Sequence, residues 1–335
     1  MKPYEQLTFR GKLRRLRGLV VDALRQFGID VARLKLIGYD TNVMYRAWAM
    51  DGQQYALRLA NPAWRSAETA VSEAIWLDAL ANDTDTPVPQ MMRTPAGEAV
   101  VFPQAKGAPD DRHAVLMSWL PGMLLGKRLS APNLTKMGEL FGKLHNHGAT
   151  WQPPSGFTTQ RFDQMLSRGE PNVLFAEDSL TVYSAQTERL LRQLAEQVAE
   201  VYAALDPADL RVIHCDLWHD NIKIHRGQLY PFDFEDTIWG FRLHDIAMAM
   251  LDLYEDVEST ERYEKLFAAF RAGYEKYLPW PEGEVVLLQF GRLLWKTNWI
   301  ARFWPEGLAK TAVFHANLYD HYLNTGHLPQ PKLPR

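Results

Sequence analysis

Between positions 210 and 235 the chain passes through three apolar runs too short to be helices, and the residues dividing them limit both fold and chemistry. Residues 210–214 contain the β-branched pair Val212-Ile213, 222–225 alternate Ile, Lys, Ile and His, and 229–234 form a third run. Three strands are therefore predicted, separated by a polar loop and by Arg226-Gly227, with the last two forming a hairpin. Asn221 and Asp233 are expected on its two arms, near the end away from the turn, which brings them together in space. Asp216 falls in the loop that feeds the hairpin. An Asp, an Asn five residues later and a second Asp are the oxygen side chains that phosphoryl transfer requires. One holds the hydroxyl to be phosphorylated and two hold the magnesium ions on ATP, since Mg²⁺ prefers carboxylate, amide and phosphate oxygens. Asp216 is thus assigned as catalytic base, with Asn221 and Asp233 as metal ligands. Asp and Asn are also ordinary turn residues, but the His-x-Asp-x4-Asn spacing followed by Asp-Phe is too particular for that explanation.

The residues carrying this pattern are His214-Cys215-Asp216-Leu217-Trp218-His219-Asp220-Asn221, Phe232-Asp233-Phe234-Glu235-Asp236 and His244-Asp245-Ile246-Ala247. Together they resemble the signature of the aminoglycoside phosphotransferase and choline kinase family, which also contains type II homoserine kinases. The resemblance extends over about residues 34–251 and implies an α+β, bilobal, protein-kinase-like fold. It implies a small N-terminal lobe of antiparallel sheet plus helix over 1–117, a hinge at 118–122, and a larger, mostly helical lobe over 123–328, followed by a tail at 329–335. His214 and Asp245 are then expected to support the catalytic loop, Asp245 by accepting backbone hydrogen bonds.

In the small lobe, residues 34–46 read as strand, turn, strand and resemble the family's Gly-x-x-x-Asn loop, with Gly38 and Asn42 in the matching places. Backbone amides of such a turn can bind phosphate oxygens. Met50-Asp51-Gly52-Gln53 is a hairpin turn leading into a strand over 54–60. Along it Tyr55, Leu57 and Leu59 face one way, and Ala56, Arg58 and Ala60 the other. Two alanines flanking a long cation make a wall for something flat, with the cation reaching toward phosphates. Ala56-Leu57-Arg58 corresponds to the kinase pattern Ala-x-Lys, with Arg where Lys is usual, which alters the shape and reach of the cation. The alternative is a surface arginine on an edge strand. A helix over 66–80, capped by Ser66 and carrying Val71, Ala74, Ile75 and Leu77 at helical spacing, offers Glu73 as the partner of Arg58, with Glu68 as the runner-up. Ser118, Trp119 and Leu120 are the hinge residues expected against the adenine.

The remaining sequence fits an enzyme working on a small molecule. The chain has 335 residues, is 47% hydrophobic and carries a net charge of −3, enough for two cores and unlike a nucleic-acid binder. The lone Cys215 makes no internal disulfide, and no segment is apolar enough to span a membrane, so a cytoplasmic location is expected. Residues 10–27 form a basic amphipathic helix expected to pack on the small lobe, with membrane or partner binding as the alternative. His145 and His147 lie two apart on a helix over 134–147 and share no face, which argues against a metal site. Protein kinases carry Lys two residues after the catalytic Asp, where this chain has Trp218, and there is no long activation segment between Asp233 and Asp245. A small hydroxyl acceptor (amino acid, amino alcohol, sugar or aminoglycoside-like) is therefore favoured over a protein. Trp295, Trp299, Phe303 and Trp304, near Arg292 and Arg302, either line its pocket or pack as core. The reading is an ATP- and Mg²⁺-dependent phosphotransferase. The alternatives are a nucleotide-binding regulatory protein of kinase fold, suggested only by Arg58, or a serine/threonine protein kinase.

Overall fold

Thr8 caps the first helix by accepting a hydrogen bond from Gly11 N at 3.3 Å, and the helix then runs over Phe9–Gln26 (α1). The computed structural model describes residues 2–61, 63–166 and 168–329; apart from Pro329, the expected tail lies outside the described residues. After α1 come Val31–Tyr39 (β1), Val43–Ala49 (β2), Gln54–Leu59 (β3), Ala67–Asp83 (α2), Val100–Val101 (β4) and Ala114–Ser118 (β5). Met123–Leu124 (β6), Ala131–Thr150 (α3), Arg161–Phe162 (β7), Glu177–Leu180 (α4), Ala185–Ala204 (α5) and Leu210–Ile213 (β8) follow. The chain continues through Ile222–His225 (β9), Gln228–Pro231 (β10), Ile238–Phe241 (β11), Arg242–Asp256 (α6), Thr260–Tyr274 (α7), Val285–Phe303 (α8) and Leu308–Thr325 (α9). The α+β class is the one the resemblance implied. Two compact units are formed: Met1–Gly122 with Gln152–Thr158 and His225–Glu235, and the rest of the chain.

In the first unit the strands form one antiparallel sheet in the order β1-β2-β3-β5-β4. The alternation read in β3 decides its two faces. Tyr55, Leu57 and Leu59 join Val43, Tyr45, Ala47 and Leu116 on a face covered by Leu16, Leu19, Val20, Ala23 and Leu24 of α1. Full burial of each such leucine contributes about 1.5–3 kcal/mol, so the amphipathic N-terminal helix is core structure. The opposite face carries Met44, Arg46, Ala56 and Arg58, which are cross-strand neighbours. Because β3 lies inside the sheet and Arg58 is only 3% exposed, the edge-strand alternative for this arginine does not hold.

Ser66 caps α2 as expected, accepting from Thr69 N. The helix buries only part of the stripe inferred from its apolar residues, Ala74 and Leu77 being inside. Ala70, Glu73, Ala74, Trp76, Leu77 and Leu80 are inside, whereas Val71 is 38% exposed. A buried carboxylate at 73 turns the helix so that Val71 faces outward.

In the second unit α3 packs on α7, and α5 and α6 on α8. The α3–α7 approach depends on glycines, because a Cβ on Gly138 would lie 1.9 Å from the carbonyl oxygen of Phe270 and one on Gly273 1.9 Å from that of Thr135. Backbone cannot yield as a side-chain tip can. Gly273→Ala is expected to cost about 3 kcal/mol by overpacking, seen as a fall of several degrees in melting temperature; an unchanged Tm would show that the two helices can separate freely. Here β7-β11-β8 form a three-stranded sheet, with β8 antiparallel to β11 and β7 parallel to it, and β6 pairs antiparallel with β9.

Two details of the predicted hairpin are corrected. Arg226 and Gly227 have φ of 49° and 80°, as a two-residue hairpin turn demands, but β10 ends at Pro231 and Asp233 lies beyond it with φ of 65°. Asn221 closes a short 3-10 turn over His219–Asn221 just before β9. Neither residue therefore stands on a strand; each is held by an irregular turn at a strand end.

Candidate active site

The first unit assembles a buried cluster of charges around Arg58. Its guanidinium makes a two-pronged ion pair with Glu73 of α2, whose side chain is 1% exposed. Arg58 Nε also lies 3.5 Å from Glu235 Oε2, and Nη1 lies 3.8 Å from Asp233 Oδ1. These carboxylates hold the guanidinium charged, raising its pKa against the opposing effect of burial. The runner-up Glu68 is exposed and takes no part. Glu235, part of the Phe232–Asp236 motif, accepts from Asn42 Nδ2 at 2.9 and 2.7 Å and from Trp64 Nε1 at 3.2 Å.

Asn42 is thus committed inside the protein on both sides of its amide, since Oδ1 accepts from Asn61 N at 3.1 Å. It pins the β1–β2 turn over the Arg58 cluster. Gly38 lies in β1 at a register shift, where a Cβ would make ordinary contact with Met44 at 3.5 Å. Ala56 pairs with Arg46 and Met117 in the neighbouring strands.

At the end of β5 the expected hinge residues are tied to the sheet. Ser118 N donates to Gln90 O at 2.9 Å, Ser118 Oγ accepts from Gln90 N at 2.9 Å, and Trp119 N donates to Gln54 O at 3.0 Å. Leu120 is 9% exposed. Beside them a pocket of about 550 Å³ is lined by Arg46, Gln54, Trp119, Pro121 and Gly122. The Arg46 guanidinium sits 4.0 Å over the Trp119 ring, so one wall of this pocket is a flat, cationic aromatic stack.

The second unit builds the loop that carries Asp216. Cys215 has φ of 66°, a conformation L-residues adopt at a cost and usually only where the surroundings enforce it. The enforcement is visible: Cys215 N donates to Asp245 Oδ1 at 2.8 Å, and Asp245 Oδ2 accepts from His145 Nε2 at 3.0 Å. His145 Nδ1 faces the Tyr274 hydroxyl at 3.1 Å, which in turn accepts from Arg242 Nη1 at 3.1 Å. Burial lowers the His145 pKa, and a neutral ring donating at Nε2 and accepting at Nδ1 completes the chain of bonds. Both ring nitrogens are therefore occupied. His214 is fully buried and accepts from Asp216 N at 3.3 Å. Arg168, which the sequence reading missed, is buried beneath the loop. It donates to Asp236 Oδ1 at 2.9 Å and lies 3.2 Å from the sulfur of Cys215, whose thiol burial pushes up to about 12.

The Asp216 carboxylate is held at both oxygens. Oδ2 accepts from Asn221 Nδ2 at 2.8 Å, and Oδ1 lies 3.3 Å from Arg292 Nη2. Asn221 Nδ2 also donates to the Asp216 carbonyl at 2.8 Å. The Asn221 amide nitrogen is thus committed to Asp216, and the residue is 8% exposed. Burial pushes the Asp216 carboxyl up to about 7, against the pull of Arg292. Of the aromatics on α8, Trp295 is buried and donates to Glu170 Oε2 at 2.9 Å, while Phe303 and Trp304 are 46% and 52% exposed. Arg302 donates to Glu170 at 3.2 Å. Among the described residues no helix is long and apolar enough to cross a membrane.

Solved structures with the same fold include an amicoumacin kinase bound to AMP-PNP, Ca²⁺ and its ligand Ami, at 15% identity and a TM-score of 0.72 over 93% of this chain and 96% of that one. A microcompartment-associated aminopropanol kinase is similar at 20% identity and a TM-score of 0.71, covering 92% and 99%. A choline/ethanolamine kinase family protein from Mesorhizobium loti is similar at 17% and 0.58, covering 93% and 94%. No curated protein matches the chain at a significant level. The sequence model of the phosphotransferase enzyme family matches residues 36–280, most of the chain, including Arg58, Glu73, Asp216, Asn221, Asp233 and Asp245, and the protein belongs to that family.

Proposed function

We propose that this phosphotransferase is an ATP- and Mg²⁺-dependent kinase that phosphorylates a hydroxyl group of a small, amine-bearing compound. Asp216 is the base that holds the acceptor hydroxyl and takes its proton. Asn221 and Asp233 are the metal ligands, Arg58 is the phosphate-binding cation oriented by Glu73, and the backbone around Gly38 and Asn42 covers the phosphates. Ala56, Ser118, Trp119 and Leu120 line the nucleotide site, with 118–122 as the hinge. His214 and Asp245 shape the catalytic loop.

The observation that carries this reading is the double hydrogen bond from Asn221 Nδ2 to Asp216. It holds the carboxylate of the base and the amide of a metal ligand on one turn with the amide nitrogen committed to Asp216, and a hard donor such as the Asn221 amide oxygen suits Mg²⁺. Asp233, with its side chain 42% exposed, adds a carboxylate. A bound divalent ion neutralises phosphate charge; the chain's own groups position the acceptor and receive its proton. The nucleotide reading is supported by the amicoumacin kinase complex with AMP-PNP and Ca²⁺, and the amine by the similarity to an aminopropanol kinase.

The test is acceptor-dependent ADP release from Mg-ATP across amino alcohols, amino acids, sugars and aminoglycosides, with EDTA as the metal control. Activity on amine-bearing alcohols that EDTA removes is expected. Release confined to uncharged sugars would refute the amine, and none at all would refute the kinase. Asp245→Ala removes the acceptor for Cys215 N, so turnover is expected to fall on the order of 10²-fold through misplacement of Asp216 while ATP affinity is kept. Wild-type turnover in this variant would show that the loop needs no brace.

A further inference from the structure

Arg292 reaches Asp216 from α8, far along the chain from the catalytic loop. Its Nη2 lies 3.3 Å from Asp216 Oδ1, and its side chain is only 15% exposed. The guanidinium plane is fixed by lying 4.3 Å over the indole of Trp295. Trp295 is itself anchored through Nε1 to Glu170 Oε2 at 2.9 Å, and that oxygen also accepts from Arg302 at 3.2 Å. Arg292 Nε is buried without a hydrogen-bond acceptor. This cation is therefore held at the base by packing, on a side chain that keeps donor capacity in reserve.

We propose that Arg292 is a charge-handover residue for phosphoryl transfer, an inference that rests on the assignment of Asp216 as base. When the acceptor oxygen bonds to the γ-phosphorus, the bond from that phosphorus to the bridging oxygen breaks and its electron pair leaves with ADP. The hydroxyl proton passes to Asp216. The protonated carboxyl is neutral, so Arg292 loses its counter-charge at the step that leaves one additional negative charge on the phosphorylated products. With its plane held over Trp295, the guanidinium then donates to the new phosphoester in place of the neutralised acid. A planar fork with several donors can engage both in succession, and a preorganised cation in a partly buried site acts without reorganisation.

The test compares Arg292→Met, Arg292→Lys and Arg292→Ala with the wild type, using Mg-ATP and the acceptor that gives the highest turnover. Arg292→Met is expected to lower kcat by about 10²-fold, with KM for ATP and acceptor changed by less than about threefold. Arg292→Lys should recover part of the loss, and millimolar guanidinium should partly restore Arg292→Ala. An unchanged kcat with a raised acceptor KM would make Arg292 an acceptor-binding residue and overturn the proposal. A loss that follows a lowered Tm, with no recovery by Lys or guanidinium, would make it structural and overturn it as well. A wild type that neither phosphorylates any acceptor nor hydrolyses ATP in an Asp216-dependent way would refute the kinase reading itself, and this inference with it.

Discussion

Asp216→Asn is expected to reduce acceptor phosphorylation by about 10³-fold, the scale of a positioned general base, and to leave Mg-ATP affinity nearly unchanged. The carboxylate accepts from Asn221 Nδ2 through one oxygen and faces Arg292 through the other. An amide has one oxygen, so the variant can satisfy only one of those donors and turns its own NH₂ toward the second. It also loses the negative charge that takes the proton. Nucleotide affinity is expected to persist because the cation proposed to bind phosphate is Arg58, whose ion pairs are with Glu73, Glu235 and Asp233. Single-turnover phosphorylation and ATP titration on the same preparation separate the two effects. Wild-type rates in the variant would end the assignment of Asp216 as base.

Arg58→Met is expected to destabilise the first unit by about 3–5 kcal/mol, the cost of breaking a buried ion pair by removing one partner. Glu73 would remain 1% exposed with no cation, and Glu235 and Asp233 would lose theirs. The double variant Arg58→Met/Glu73→Leu removes the stranded charge from α2 and should regain part of the loss, since a well-packed apolar pair can replace a buried ion pair at little cost. Denaturant unfolding of both singles and the double gives the coupling directly. Strictly additive effects would mean that the pair does not hold α2 to the sheet. Both variants should bind ATP weakly, which distinguishes the phosphate role of Arg58 from its structural one.

Much of the site was legible because its geometry is local. Asp216 and Asn221 share one turn, so their spacing alone brought an amide onto a carboxylate. The period-two pattern of β3 sorted its apolar side chains from Ala56 and Arg58, and Ser66 marked the start of α2. What failed was also local in origin. The apolar residues of α2 suggested a stripe that includes Val71, because periodicity counts hydrophobic side chains, and turning Glu73 inward to Arg58 puts residue 71 on the far side of the helix. Asp233 was placed on a strand because its neighbours are apolar, whereas its φ of 65° ends the strand at Pro231.

Sequence by itself determined the family, the α+β class and the elements, including a helix with a basic face at its start, and it supplied the residues proposed as base and metal ligands. Tertiary structure decided which charges meet. Glu235 joins Asn42, Arg292 joins Asp216, Arg168 lies under Cys215, and Asp245 is held by His145. Each of these partners is distant along the chain, and an ion pair or hydrogen bond imposes no periodicity on the residues between. Its strength comes from burial, and burial exists only once helices and sheet have packed.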